Sequence, residues 1–267
     1  MSEETARSQE AALSEEVVLT ERDGGVLVIT LNRPKVRNAV NGALAHAVAA
    51  ALDELDGDPA LTVGILTGAG GTFCSGMDLK AFLTGDIPEV PGRGLAGITT
   101  TPPDKPVIAA VEGYALAGGC EIALACDLIV ASREAKFGLP ETKRALVAGA
   151  GGLFRLPQRI PRAIAMEYAL TGEHFSAEDA HSWGLVNRLT EPGEALVGAL
   201  ELARKITENG PLAVRATKQI VAHGADWPAD ERWARQGELL KPVMTSQDAR
   251  EGATAFAEKR APVWTGE

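Results

Sequence analysis

Apolar and polar positions fall into blocks along the chain, and the length and period of each block point to an element. Residues 17–22 and 26–31 are rich in β-branched and aliphatic side chains and are separated by Asp23-Gly24-Gly25, which predicts a strand, a turn and a strand. Residues 41–55 set Ala and Leu at helical spacing and end on Asp56-Gly57-Asp58-Pro59, a helix followed by a stop. Residues 63–67 and 107–111 are apolar runs too short for helices and read as buried strands, the second entered through Pro102-Pro103 and Pro106. Gly68-Ala69-Gly70-Gly71 reads as a loop, 118–126 as a helix and 128–131 as a further strand. Short apolar strands alternating with helices predict an α/β fold.

After about residue 195 the pattern is helical throughout, with helices expected over 194–209, 211–223, 228–240 and 246–260. Leu196, Leu200, Ala203 and Ile206 share one face of the first, and Leu212, Ala216 and Ile220 one face of the second. Each stripe has to be buried against something. The expected organisation is therefore a tail over 1–15, an α/β core over 16–194 and a helical oligomerisation region over 195–267. The tail is Glu-rich with Arg7 as its one basic residue, which predicts disorder and resembles neither a signal nor a transit peptide. The Gly-, Pro- and Thr-bearing stretch 84–101 predicts a loop or short helix over the site, and no fixed-period repeat is evident.

Composition narrows the class. The 267 residues suffice for one large domain or a core with an appendage. Aromatics are only 4% of the chain, so the core has to be aliphatic. A net charge of −10 argues against a nucleic-acid partner. Cys74, Cys120 and Cys126 lack the spacing of a disulfide framework or a zinc site, so a reducing, cytoplasmic setting is expected. No apolar run reaches the ~20 residues of a membrane span, so no membrane partner is expected.

The chemistry centres on two glutamates. Glu121 closes Gly113-Tyr114-Ala115-Leu116-Ala117-Gly118-Gly119-Cys120-Glu121, and Glu141 closes Phe137-Gly138-Leu139-Pro140-Glu141. Two carboxylates in an apolar pocket move each other's pKa values toward neutrality and can share a water or pass protons to carbon. Phe73-Cys74-Ser75-Gly76-Met77-Asp78-Leu79-Lys80 supplies a second tight turn with free backbone N–H groups, the equipment for stabilising an enolate. Read singly, either glutamate could be a first-turn helix residue and either cysteine of this region a small core residue. His46, His174, His181 and His223 lack metal-ligand spacing. Ser75 is not in a Gly-x-Ser-x-Gly elbow, because Phe73 holds the first glycine position. Phe154 stands where the third glycine of a dinucleotide fingerprint belongs after Gly149-Ala150-Gly151-Gly152.

At this point the chain resembles the crotonase superfamily, and within it the enoyl-CoA hydratase/isomerase family. The resemblance runs from about Val17 and rests on Leu31-Asn32-Arg33-Pro34-Lys35 with Asn38-Ala39, on 73–80, on 105–121, on 137–141, on 149–152, on Leu170-Thr171-Gly172 and on Phe256-Ala257-Glu258-Lys259-Arg260. It implies repeated ββα turns closed by C-terminal helices that build a homotrimer or a dimer of trimers. It also implies an acyl-CoA thioester as substrate, with no separate cofactor and no metal. By resemblance, the N–H groups of Met77 and Gly118 form the oxyanion hole, and Glu121 (base) and Glu141 (acid) are catalytic. Lys35, Ser75, Asp78, Leu79, Lys80, Gly149, Phe256 and Lys259 fall at substrate- or CoA-binding positions, Lys259 often reaching a neighbouring subunit. Two glutamates favour hydration of a trans-2-enoyl-CoA. Dehydration of a carnitinyl-type thioester and double-bond isomerisation are the alternatives on the same scaffold, and a non-catalytic acyl-CoA-binding subunit is the alternative outside it. The chain departs from the common hydratase pattern at Met77, Ala117 and Ala148, and 152–157 with Ala261-Pro262-Val263-Trp264 resemble the carnitinyl-CoA dehydratase branch.

Overall fold

The apolar runs become parallel strands, and the turns between them carry the site. The computed structural model describes residues 16–267; the expected tail over 1–15 lies outside them. In chain order the elements are β1 (Val18–Asp23), β2 (Val26–Leu31), α1 (Gly42–Gly57), β3 (Val63–Gly68), α2 (Leu79–Leu83), β4 (Glu89–Val90), β5 (Gly94–Leu95), β6 (Val107–Val111), β7 (Tyr114–Leu116) and α3 (Gly118–Ala125). There follow β8 (Leu128–Ser132), β9 (Lys136–Gly138), α4 (Gly152–Arg159), α5 (Arg162–Thr171), β10 (Phe175–Ser176), α6 (Ala177–Ser182) and β11 (Arg188–Thr190). Last come α7 (Ala195–Thr207), α8 (Pro211–His223), α9 (Arg232–Thr245) and α10 (Gln247–Glu258). Tight 3-10 turns occupy Pro34–Val36 and Pro140–Arg144.

β1 and β2 form the expected antiparallel hairpin, and β3, β6, β8 and β11 extend it in parallel into a six-stranded sheet of order β1-β2-β3-β6-β8-β11. A smaller layer runs beside it. β7 pairs with β9 and β9 with β10, and the bridges Cys74–Ala115 and Val40–Met77 continue that layer toward the start of the chain. Successive turns thus give a long strand to the large sheet and a short strand or bridge to the small one. This is the repeated ββα winding that the resemblance implies, with a helical region at its C-terminal end.

Both faces of the large sheet are covered along β2, β3, β6 and β8, which is why those strands read as near-continuous apolar runs. One face packs Leu27, Ile29, Leu31 and Leu66 with α1 and with Phe73, Phe137 and Phe175 of the small layer. The other packs Val26, Val28, Val63, Ile65, Ile108 and Val130 against Ala195, Ala199 and Ala203 of α7, with Leu196, Leu200 and Ile206 half-buried at its border. The α7 stripe is therefore spent inside the chain. Each fully buried aliphatic or aromatic side chain contributes roughly 1.5–3 kcal/mol relative to exposure.

The structure departs from the sequence expectation at several elements. The stretch 84–101 holds the β4–β5 hairpin, and Leu95, Ala96, Ile98 and Thr99 are buried. The glycines there serve close packing; a Cβ on Gly97, at φ +66°, would stand 2.6 Å from the Ala49 Cβ of α1. The helix expected over 228–240 begins at Arg232 and runs through Pro242 to Thr245. A proline removes one ladder hydrogen bond, and an exposed helix leaves that carbonyl to solvent at modest cost. The two- and three-residue strands β7, β9, β10 and β11 were not expected at all.

Candidate active site

Two turns with unsatisfied N–H groups meet between the layers. The first is 74–77. Its backbone is held by Val40 N–H to the Gly76 carbonyl at 2.8 Å and by Asp78 N–H to the Val40 carbonyl at 2.8 Å. Asp78 caps α2, its Oδ1 accepting from Lys80 N at 3.1 Å and Ala81 N at 3.3 Å, while its Oδ2 takes the Arg33 guanidinium at 3.0 Å. Burial works to raise the Asp78 carboxyl, but these N–H groups and Arg33 outweigh it and hold it below the usual carboxylate range. Buried Asn38, at φ +54°, braces the turn from behind by accepting from Arg33 N and donating to the Ala69 and Thr72 carbonyls.

The second turn leads into α3. Ala117 has φ +51° and ψ −127°, a conformation favoured by glycine, and its N–H donates to the Gly138 carbonyl at 2.9 Å. That kink starts α3 with the Gly118 N–H facing the 74–77 turn. A Cβ placed on Gly118 would lie 3.6 Å from Met77 N, and one on Gly76, itself at φ +101°, would lie 3.1 Å from Gly118 N. Glycine at 76 is therefore required twice, by its φ and by the approach of the second turn. Among the described residues neither Met77 N nor Gly118 N donates to a protein acceptor. Two adjacent free N–H groups, one at a helix N-terminus, have the chemistry to bind an anion.

Glu121 lies one turn into α3 and is 3% exposed. Its Oε1 accepts from Ala150 N at 2.7 Å and Gly152 N at 2.9 Å, so the glycine-rich loop before α4 fixes it. Burial raises its pKa, and the two N–H donors and nearby Arg155 work against that rise. Glu141 sits in the Pro140–Arg144 turn, where its buried Oε2 has no protein hydrogen-bond partner. Burial raises its pKa and the charge of Glu121 raises it further, so the two carboxyls sense each other. A buried carboxyl oxygen without a protein partner is costly unless it is protonated or meets a ligand or water.

A cavity of about 620 Å³ opens beside Glu141, walled by Leu139, Val147, Leu153, Phe154, Met166 and Leu170, with Arg162 also among its lining residues. The thiols of Cys74, Cys120 and Cys126 are buried and pushed up to about 12 by burial, which keeps them protonated and unreactive at neutral pH. Among the described residues no three His, Cys, Asp or Glu side chains converge as metal ligands, and no helix is long and apolar enough to cross a membrane.

The sequence-selected residues divide clearly. Met77 and Gly118 meet at the junction of the turns, Glu121 lies one turn into the helix that Gly118 opens, and Glu141 stands within electrostatic reach of Glu121. Ser75 lies in the same 74–77 turn as Met77, and among the described residues its carbonyl accepts no hydrogen bond. Asp78 has both oxygens engaged within the protein, so its place is in holding the turn. Leu79 and Lys80 are exposed on α2, and Lys35 is exposed in the Pro34–Val36 turn. Gly149 is exposed and leaves Glu121 to its neighbours Ala150 and Gly152. Phe256, 88% exposed, and exposed Lys259 end α10, which packs on α9; no described contact joins them to the glutamates within one chain. Sequence reasoning missed the two N–H groups that hold Glu121, because backbone donors leave no side-chain signal. It also missed Arg155 and Thr99.

Comparison with known proteins gives a consistent picture. A family model described as enoyl-CoA hydratase/isomerase matches residues 21–267. A carnitinyl-CoA dehydratase of Salmonella typhi is 46% identical over 263 residues, spanning 95% of this chain and 100% of that protein. The crystal structure of an enoyl-CoA hydratase from Mycobacterium tuberculosis H37Rv superposes with a TM-score of 0.93 at 61% identity, over 95% of this chain and 100% of that one. A carnitinyl-CoA hydratase from Mycobacterium avium gives a TM-score of 0.76 at 48% identity, again over 95% and 100%.

Proposed function

The chain belongs to the enoyl-CoA hydratase/isomerase family, and from that premise we propose that it adds water across the 2,3 double bond of a trans-2-enoyl-CoA to give a 3-hydroxyacyl-CoA. The observation that carries this reading is the electrostatic pairing of buried Glu121 with half-buried Glu141, Glu121 standing one turn into the helix whose first residue, Gly118, shares two unclaimed N–H groups with Met77. The thioester oxygen lies between Met77 N–H and Gly118 N–H. Glu121, whose two N–H donors favour the ionised form, takes a proton from water as the oxygen adds to C3. The displaced electron pair moves onto the thioester oxygen as an enolate, which the two N–H groups stabilise. Glu141, whose buried oxygen and proximity to Glu121 favour the protonated form, delivers its proton to C2. Exchange of one proton between the carboxyls through the site restores the starting state. Removing one oxyanion donor of this kind typically costs about 10²–10³ in rate.

The second reading, a carnitinyl-type dehydratase, is favoured by the Salmonella relative. Both names describe water added to or removed from the same bond, so the difference lies in the acyl group. A carnitinyl group carries a permanent cation. The cavity is lined mainly by apolar residues, with Glu141, Thr142 and Arg162 as its polar members, and a wall of that kind supports an uncharged acyl tail. The deciding experiment measures kcat/KM on enoyl-CoA thioesters of graded length and on a carnitinyl-type thioester, read by the conjugated-thioester absorbance. Higher kcat/KM for an uncharged enoyl-CoA supports the hydratase reading. Preference for the cationic substrate transfers the assignment to the second.

A further inference from the structure

Arg155, in the first turn of α4, reaches back to the loop before that helix and is half-buried. Its Nη1 donates to the Ala150 carbonyl at 3.2 Å and its Nη2 to the Thr99 carbonyl at 2.6 Å. Ala150 is one of the two residues whose N–H groups hold Glu121. Thr99 is buried and belongs to the segment that includes Leu95, whose Cδ2 would stand 2.6 Å from a Cβ on Gly118. One guanidinium therefore spans the loop that aims the carboxylate and the segment that walls the anion-binding turn. The backbone is built around it, since a Cβ on Gly151, at φ +99°, would stand 2.1 Å from Arg155 Nη1.

Resting on the hydratase reading, we propose that Arg155 is a positioning residue that locks the Glu121 loop to the wall of the oxyanion turn. A planar fork suits this task, because two carbonyls in fixed directions need donors in fixed directions. The guanidinium also lies close enough to favour ionised Glu121. The other groups around Glu121 are Glu141 in the Pro140–Arg144 turn and the Cys120 thiol on its own helix, with Arg159 farther along α4 beside Arg155.

The test compares Arg155→Met, Arg155→Lys and Glu121→Gln in the full-length enzyme, with turnover of one enoyl-CoA measured across pH. Partners that orient a functional group typically cost 10–100-fold when removed. Arg155→Met is expected to lower kcat by about that factor with KM within about threefold. Losing the positive charge raises the Glu121 pKa, so the acid limb of the kcat profile moves to higher pH. Arg155→Lys keeps the charge without the fork, so kcat falls while the acid limb stays near its wild-type position. A folded Arg155→Met enzyme with kcat within threefold of wild type and an unmoved acid limb overturns the proposal. Should Arg155→Met not fold, Arg155→Lys decides alone: wild-type kcat refutes the fork, reduced kcat with an unmoved limb upholds it. Glu121→Gln separates the two levels. Near-normal turnover there sinks the hydratase reading itself, whereas an inactive Glu121→Gln beside a fully active Arg155→Met sinks only this inference.

Discussion

Replacing Ala117 by glycine should stabilise the protein without harming the site. Ala117 holds φ +51° and ψ −127° because its N–H is tied to the Gly138 carbonyl and α3 must start where Gly118 meets the 74–77 turn. A Cβ in such a region costs about 1–3 kcal/mol. Glycine removes that cost but loses more chain entropy on folding, roughly 0.5–1 kcal/mol. The difference leaves about 1 kcal/mol in favour of Ala117→Gly. For a chain of this size that corresponds to a rise in melting temperature of about 2–4 °C. Scanning calorimetry of both proteins at one fixed concentration reads it, because the assembly proposed below would make the midpoint concentration-dependent. Glycine adopts the native dihedrals freely, so kcat is expected to stay within about twofold. A lower midpoint, or an unchanged midpoint with lost turnover, would show that the kink is not strained and refute the reasoning.

Gly152→Ala should act in the opposite sense, because its Cβ would fall 2.9 Å from Glu121 Cγ and 3.0 Å from Leu139 Cδ1; kcat should drop about 10–100-fold, read by steady-state hydration. Glu141→Gln should raise the melting temperature more at pH 8 than at pH 4.5. Burial raises the folded-state pKa of Glu141, so its contribution is fully favourable below the unfolded value and is lost as pH rises through the folded value; glutamine has no such loss. An equal shift at both pH values, measured by thermal melts, would contradict it. A trimer or hexamer with Lys259 completing a neighbour's CoA phosphate site is the assembly we propose. Lys259→Glu should then raise KM more at low salt than at high, and light scattering that finds a fully active monomer would refute the assembly. Turnover should survive dialysis against a strong chelator without added nicotinamide or flavin, and loss restored by one metal would overturn the cofactor-free reading.

What the sequence made legible follows from physics at each place. The β1–β2 hairpin was visible through its Gly-Gly turn, α1 through helical spacing with a stop after it, and β3 and β6 through apolar runs too short for helices and bounded by turn residues. β7, β9 and β10 escaped because strands of two or three residues carry no period, although they form the layer that sets Glu121 beside Glu141. The glutamates and the two turns were legible through motif context. Their supports were not: the Ala150 and Gly152 N–H groups are backbone, and the Arg155–Thr99 link joins residues 56 apart through a carbonyl. The helix expected to end at residue 240 instead continues through Pro242 in exposed α9, because one lost ladder bond is tolerable where water is at hand.

The central claim is that Glu121 and Glu141 act as one unit on one water. The direct test is hydration of a trans-2-enoyl-CoA by Glu121→Gln, Glu141→Gln and the double variant, each confirmed folded. The account predicts that each single variant loses several orders of magnitude in kcat, on the scale of about 10³ or more, and that the double variant is little worse than the poorer single. Near-normal turnover by either single variant, or losses that multiply in the double, would contradict it.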